Sequence, residues 1–181
     1  MKKTLPAMVL LMVVLGTGCA TKQPQTTGES HFTGAPGEVK LITLDPGHFH
    51  AALVQKSMYD QIDPVVHVFA PEGPDVHDHL LKIEAYNRRA ENPTAWVEDV
   101  YTGTDFLEKM MEEKPGNVVV LAGNNARKTE YILRSVEAGL NVLADKPMVI
   151  SADQYPLLEK AFSIAGEKGV LLYDIMTERY E

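Results

Sequence analysis

Cysteine is nearly absent from this chain: Cys19 is the only one among 181 residues. No disulfide can therefore form within the chain, and its core must be held together by packing. Basic residues are also scarce: the chain has 17 Lys and Arg against 25 Asp and Glu, and its net charge is −8 at pH 7. Since nucleic-acid phosphates require a basic surface, this balance excludes nucleic acid as a partner. Apolar runs are short, and none reaches the roughly 20 residues that span a bilayer.

The first residues have the organisation of an export signal. Lys2 and Lys3 precede residues 5–15, which are apolar except for Pro6, and the small residues 16–18 then lead directly to Cys19. This order is typical of a signal peptide, and its cysteine resembles the lipidated residue of bacterial lipoproteins. We predict a signal peptide over residues 1–18 and a lipid on Cys19, which places the chain on the periplasmic side of a bacterial membrane. The alternative is an ordinary signal peptide with an incidental thiol.

Residues 19–37 are mostly small or polar and contain one large apolar residue, Phe32. Such a stretch cannot bury enough surface to fold alone, so we predict a flexible tether here. The folded domain is predicted to cover residues 38–181.

Within that domain, strand-like runs alternate with helix-like runs. Strands are predicted over residues 39–44, 64–70, 96–101, 117–122, 140–144 and 169–176. Predicted helices follow them, with Asp75 and Thr104 as the N-caps of two. This alternation predicts an α/β fold, a doubly wound parallel sheet of the Rossmann type. Because such sheets bind ligands at the carboxyl ends of their strands, functional residues are expected there.

Three strand ends carry candidate residues. Gly47 follows the first strand in a turn where a dinucleotide fold brings phosphate close to backbone N–H groups, although a purely structural turn is equally consistent. Glu72 lies 25 residues further on, near the usual place of an acid that holds ribose hydroxyls. Lys146 closes the fifth strand, where an ammonium group can reach the crevice; an ordinary surface lysine is the alternative.

One segment resembles a known family. A valine-rich strand is followed by Ala122-Gly123-Asn124-Asn125, a helix, and then the run from Glu137-Ala138-Gly139 to Asp145-Lys146-Pro147. This is similar to the glucose–fructose oxidoreductase/inositol dehydrogenase (Gfo/Idh/MocA) family, which has Ala-Thr-Pro-Asn, Glu-Ala-Gly and Glu-Lys-Pro in this order. The last strand with Arg179-Tyr180 also resembles that family, so the likeness covers about residues 38–181.

The resemblance implies a nicotinamide-dependent oxidoreductase, with tightly held NAD or NADP and a sugar or polyol as substrate. Cofactor contacts would come from a set of residues at strand ends, namely Gly47, His48, His50, Glu72, Asn125, Lys146 and Pro147. Lys146 would also assist proton transfer during catalysis. The chain departs from the family where Asp45 and His50 replace glycines, Gly123-Asn124 replaces Thr-Pro and Asp145 replaces Glu. A separate substrate domain follows in that family, so this chain is expected to be an N-terminal portion with little activity alone, and a homo-oligomer of the longer protein is left open.

Two other functions compete with this one. The first is a non-catalytic, membrane-anchored module that binds a nucleotide or a sugar. The second is a metal-binding lipoprotein, suggested by His48 with His50 and by His77 with His79. Side chains two residues apart on a helix point in different directions, and a helix starting at Gly47 would separate the first pair too. We therefore predict no metal site.

Overall fold

The computed structural model describes residues 32–175. It contains six strands: β1 (Leu41–Leu44), β2 (Val65–Ala70), β3 (Val97–Thr102), β4 (Val118–Leu121), β5 (Asn141–Ala144) and β6 (Leu172–Asp174). The helices are α1 (His50–Leu53), α2 (Pro74–Arg88), α3 (Phe106–Glu113), α4 (Asn125–Glu137) and α5 (Tyr155–Lys168). The predicted signal peptide, Cys19, tether residues 19–31 and the motif residues Arg179 and Tyr180 lie outside the described residues.

The six strands form one parallel sheet in the order β3-β2-β1-β4-β5-β6. This confirms the predicted doubly wound fold and identifies its type. The order 3-2-1-4-5-6 belongs to the dinucleotide-binding arrangement, whereas the flavodoxin-like arrangement runs 2-1-3-4-5. The strand order reverses between β1 and β4, so a ligand is expected at the carboxyl ends of these two strands.

The core lies on both faces of the sheet. Every residue of β1 and of β4 is buried, as expected for central parallel strands covered by helices on both sides. Alternate residues divide between the faces: Ile42 and Leu44 belong to one apolar cluster, and Leu41 belongs to the other. These rigid central strands hold the loops of the candidate site.

The structure corrects three local predictions. Asp75 does not cap α2, because the helix starts at Pro74 and its N-cap is Gly73. Thr104 does not cap α3, whose N-cap is Asp105. The helix expected after the first strand is short, because α1 contains only the four residues His50–Leu53.

The end of α1 has a tertiary cause. Gln55 is buried: its carbonyl accepts the Trp96 indole N–H at 2.6 Å, and its amide Nε2 donates to Glu98 Oε1 at 2.6 Å. These two contacts draw the chain inward just after α1, so long-range partners decide where the helix stops.

The described residues begin before the predicted domain boundary. Phe32, inside the predicted tether, packs against the apolar cluster that contains Trp96. The Glu38 carboxylate accepts backbone N–H groups from Thr33, Gly34 and Ala35. Contacts of the domain thus extend upstream of residue 38. No helix among residues 32–175 is long and apolar enough to cross a membrane.

Candidate functional site

The turn after β1 lies directly on the end of β4. The backbone N–H groups of Gly47 and His48 both donate to the Ala122 carbonyl at 3.1 Å, and Pro46 pairs with Gly123 in an isolated bridge. A Cβ on Gly123 would stand 2.3 Å from the Asp45 carbonyl oxygen and 2.4 Å from the Gly47 nitrogen. Glycine is therefore required at position 123, where the resembling family has threonine, because the turn packs so closely.

Asp45 keeps a glycine-like conformation although it replaces a glycine of the dinucleotide fingerprint. Its φ is 48°, in the left-handed region that aspartate tolerates better than most residues do. Its carboxylate accepts the Tyr131 hydroxyl at 2.9 Å. Burial and this neighbouring carboxylate raise the pKa of Tyr131 well above its usual range, so Tyr131 stays a proton donor to Asp45. The departure from glycine thus keeps the turn and adds an anion to it.

An open cleft of about 400 Å³ lies at the point where the strand order reverses. Its walls come from the loops after β1, β2 and β4 and from α2, α3 and α4: Asp45, Gly47, Pro71, Asp75, Phe106, Gly123, Asn124 and Arg127. The Arg127 guanidinium lies 4.8 Å from the Tyr131 ring centroid and 5.9 Å from that of Phe106. Because both rings are buried, the accessible part of this group is the Arg127 guanidinium, which suits a phosphate.

The residues present fit a dinucleotide unevenly. The cleft offers Asp45 and Asp75 as acceptors for ribose hydroxyls and Arg127 for a phosphate. In the turn after β1, however, the N–H groups of Gly47 and His48 donate to the Ala122 carbonyl and so do not point to a phosphate. The cleft therefore offers carboxylates for ribose hydroxyls, and the cation it offers for the diphosphate charge is Arg127, which also pairs with Glu130 at 3.4 Å.

A second group of polar side chains adjoins the turn. Lys128 and Asp145 are both buried and form an ion pair through Asp145 Oδ1. The Lys128 ammonium also donates to Asn125 Oδ1 at 2.6 Å and to the Asp145 carbonyl at 3.2 Å. The other carboxylate oxygen, Asp145 Oδ2, lies 3.4 Å from His48 Nδ1 and 3.3 Å from His50 Nδ1. Loops after β1, β4 and β5 thus bring these five residues together.

Burial chiefly lowers the pKa of His48, and nearby positive charge acts in the same direction, while Asp145 opposes both. Lys146 follows Asp145 directly in the chain and is exposed. The Lys146-Pro147 peptide bond that follows β5 is cis.

The structure places most of the predicted site residues at one edge of the sheet. Gly47 lines the cleft, while His48, His50 and Asn125 belong to the polar group around Asp145. Glu72 lies elsewhere: it is exposed and pairs with His77 at 3.4 Å, and its own loop contributes Pro71 to the cleft. Its contact with ribose stays a prediction.

Sequence reasoning missed Arg127 and Lys128 and treated Asp145 only as a departure. Lys128 sits on α4 like any helical lysine, and nothing local marks it as buried. One signal was available: the segment from His48 to His50 follows β1, and Asp145 follows β5, so both lie at the carboxyl edge of the sheet. Whether these two strand ends lie close together depends on the strand order, which local sequence patterns do not give.

The predicted separation of His48 from His50 is wrong. A helix from Gly47 would separate them, but α1 starts at His50 and His48 precedes it in the turn. The two rings meet edge to face with centroids 4.2 Å apart, and both Nδ1 atoms face the same Asp145 oxygen. The separation predicted for His77 and His79 is confirmed, because His77 is exposed and His79 is buried.

The fold and the cleft define a doubly wound domain of the dinucleotide-binding type. No protein-family model matches the chain. A crystal structure of a presumed oxidoreductase from Parabacteroides merdae is 65% identical, with a TM-score of 0.81, over 83% of this chain and 34% of that one. Biliverdin reductase from Synechocystis, in complex with biliverdin and NADP⁺, is 13% identical with a TM-score of 0.57, over 77% of this chain and 38% of that one.

A presumed myo-inositol dehydrogenase from Sinorhizobium meliloti is 16% identical with a TM-score of 0.53, and the match covers 79% of this chain and 37% of that one. Among curated proteins, a protein-glutamate methylesterase/protein-glutamine glutaminase of Burkholderia lata is 30% identical over 116 residues, which are 62% of this chain and 30% of that protein. The chain thus spans about a third of these relatives.

The structural neighbours share the dinucleotide-binding fold that the resemblance to the Gfo/Idh/MocA family implies, and the 65% identical one is a presumed oxidoreductase. They are oxidoreductases built on the fold that binds nicotinamide dinucleotides. The more distant ones establish the fold alone.

Proposed function

We propose that the chain is the nucleotide-binding part of an NAD(P)-dependent oxidoreductase that acts on a secondary hydroxyl of a sugar or polyol. The observation that carries this proposal is the open cleft at the reversal of a 3-2-1-4-5-6 parallel sheet. The 65% identity to a presumed oxidoreductase supports it. A bound nicotinamide dinucleotide supplies the acceptor or donor of hydride.

The chain's own residues have separate tasks in this proposal. Arg127 neutralises phosphate charge, and Asp45 and Asp75 accept ribose hydroxyls. Lys146 lies two residues beyond β5, after the carboxyl end of that strand, where its amino group can hold and transfer the proton of the reacting hydroxyl. Buried Asp145, fixed by Lys128, anchors the backbone from which Lys146 projects.

The proposal is tested in the protein that includes any downstream domain. Hydride transfer is followed by NADH or NADPH absorbance across a panel of sugars and polyols. Lys146→Ala is expected to lower kcat by roughly 10²- to 10⁴-fold, the usual contribution of a positioned acid or base. Lys160→Ala, an exposed residue paired with Glu137 on another helix, is the matched control and should retain activity. Equal rates for the two variants would remove Lys146 from the mechanism.

The competing function is a non-catalytic module that binds a nucleotide or sugar. Its support is the same open cleft, which can hold a nucleotide whether or not a reaction follows. Saturable nucleotide binding without turnover of any substrate, in the longest available protein, would favour the module over the enzyme.

We also propose that Cys19 carries a lipid and holds the domain on the periplasmic side of the membrane, on the segment order described above. An enzyme there cannot draw on the cytoplasmic nicotinamide pool, so its cofactor should be tightly held and recycled. Cys19→Ala should release the protein from the membrane fraction, and unchanged membrane association would refute the anchor. Purification of the full-length protein free of nucleotide would count against a held cofactor.

A further inference from the structure

Three side chains converge at the turn after β1 in an arrangement that dinucleotide binding does not explain. His48, His50 and Asp145 each present one potential metal-ligating atom, and all these atoms lie within 4.8 Å of one another. His50 and Asp145 are buried, whereas His48 is half exposed, with 45% of its side chain accessible. One side of the group therefore reaches solvent.

The spacing of these atoms matches a coordination shell. The two Nδ1–Oδ2 distances are 3.4 and 3.3 Å, longer than the roughly 2.7–3.2 Å of ordinary N–H···O hydrogen bonds. Zinc sites have metal–nitrogen and metal–oxygen bonds of about 2.0–2.2 Å in tetrahedral geometry, which puts neighbouring ligand atoms about 3.3–3.6 Å apart. Two edges of such a tetrahedron already exist in the structure.

The ligand types select the class of ion. Two imidazole nitrogens and one carboxylate oxygen suit zinc and other divalent transition ions, whereas magnesium and calcium prefer all-oxygen shells. Asp145 is also held as a ligand would be, because Lys128 engages its Oδ1 and leaves Oδ2 facing both histidines. Such outer contacts commonly orient a metal-binding carboxylate.

The group coincides with departures from the resembling family. His50 stands where that family has a glycine, and Asp145 stands where it has glutamate. Both replacements are buried and meet at one carboxylate oxygen, so they are linked in space although 95 residues separate them in the chain.

We propose that His48, His50 and Asp145 form a binding site for a divalent transition-metal ion, with zinc as the probe. Three protein ligands leave a fourth position for water or a hydroxyl, as in open zinc sites, on the side where His48 is exposed. The proposal stands independently of dinucleotide binding, since no ligand residue lines the nucleotide cleft.

The test uses the tag-free chain, stripped with a chelator and dialysed against zinc. Metal content is measured by elemental analysis, and affinity by competition with a chromophoric chelator. The wild-type chain should bind one equivalent. His48→Ala should weaken binding at least about tenfold, because even supporting contacts are worth that much. The matched control is His77→Ala, an exposed histidine outside the group, and it should bind zinc as the wild type does.

Two further measurements distinguish loss of the metal site from loss of folding. His48 lies half exposed in a turn, so its alanine variant should fold, as judged by circular dichroism; Asp145→Asn provides a second ligand variant. Cobalt replaces zinc as a spectroscopic probe, and its tetrahedral absorption should appear in the wild type and vanish in folded His48→Ala. Equal zinc affinity in His48→Ala and His77→Ala, or no binding by the wild type, would overturn the site.

Discussion

At the scale of single residues, the fate of each histidine depends on burial more than on sequence spacing. His79 is 4% exposed, and within residues 32–175 neither of its ring nitrogens has a hydrogen-bond partner. Burial chiefly, together with the Lys82 charge, lowers its pKa to about 4, while Asp78 opposes this. His79 is therefore a neutral, buried residue at neutral pH.

This burial predicts acid sensitivity. Because the folded-state pKa of His79 lies below the unfolded value of about 6.5, the unfolded chain binds more protons and stability falls as the pH drops from about 6.5 to about 4. The loss amounts to about 3 kcal/mol at most. Thermal unfolding across this range should show a smaller acid loss in His79→Leu than in the wild type. His77→Leu, at an exposed site, should follow the wild type; identical pH profiles for all three proteins would contradict the assignment.

At the scale of helices and strands, local sequence patterns predicted the elements whose position depends on neighbouring residues. The apolar run before Ala122 predicted β4, and α4 ends just before Gly139, whose φ of 81° suits glycine. The predictions of helix boundaries failed where contacts with residues distant in the sequence determine the boundary. Gln55 ends α1 through Trp96 and Glu98, and the pairing of His48 with His50 depends on where α1 starts.

The same scale holds a test of the turn on which both sites depend. Gly123→Ala should destabilise the domain by about 1–3 kcal/mol, the usual cost of overpacking, because the new Cβ meets the backbone at 2.3 and 2.4 Å. Gly166→Ala is the control, since nothing lies within 4 Å of its Cβ and it sits in α5; it should be neutral or slightly stabilising. Chemical unfolding measures both, and an unchanged Gly123→Ala protein would show that the turn does not pack as described.

At the scale of the whole molecule, strand order links the sequence to its function. Alternating strands and helices predicted a parallel sheet, but the crossing of the chain from β3 to β4, next to β1, became known only from the structure. That crossing brings the loops after β1, β4 and β5 to one edge. It creates the nucleotide cleft and the histidine–aspartate group side by side, from residues that no short motif connects.

The most direct test is a titration of NADH and NADPH into the chain, followed by nucleotide fluorescence. The account predicts saturable binding of one equivalent to the wild type. Arg127→Ala should weaken this at least about tenfold, or about 1.4 kcal/mol, because Arg127 is the only cation among the residues that line the cleft. Arg88→Ala, an exposed residue paired with Glu84 on α2, should bind as the wild type does. No saturable binding of either nucleotide, or binding that Arg127→Ala leaves unchanged, would contradict the nucleotide cleft.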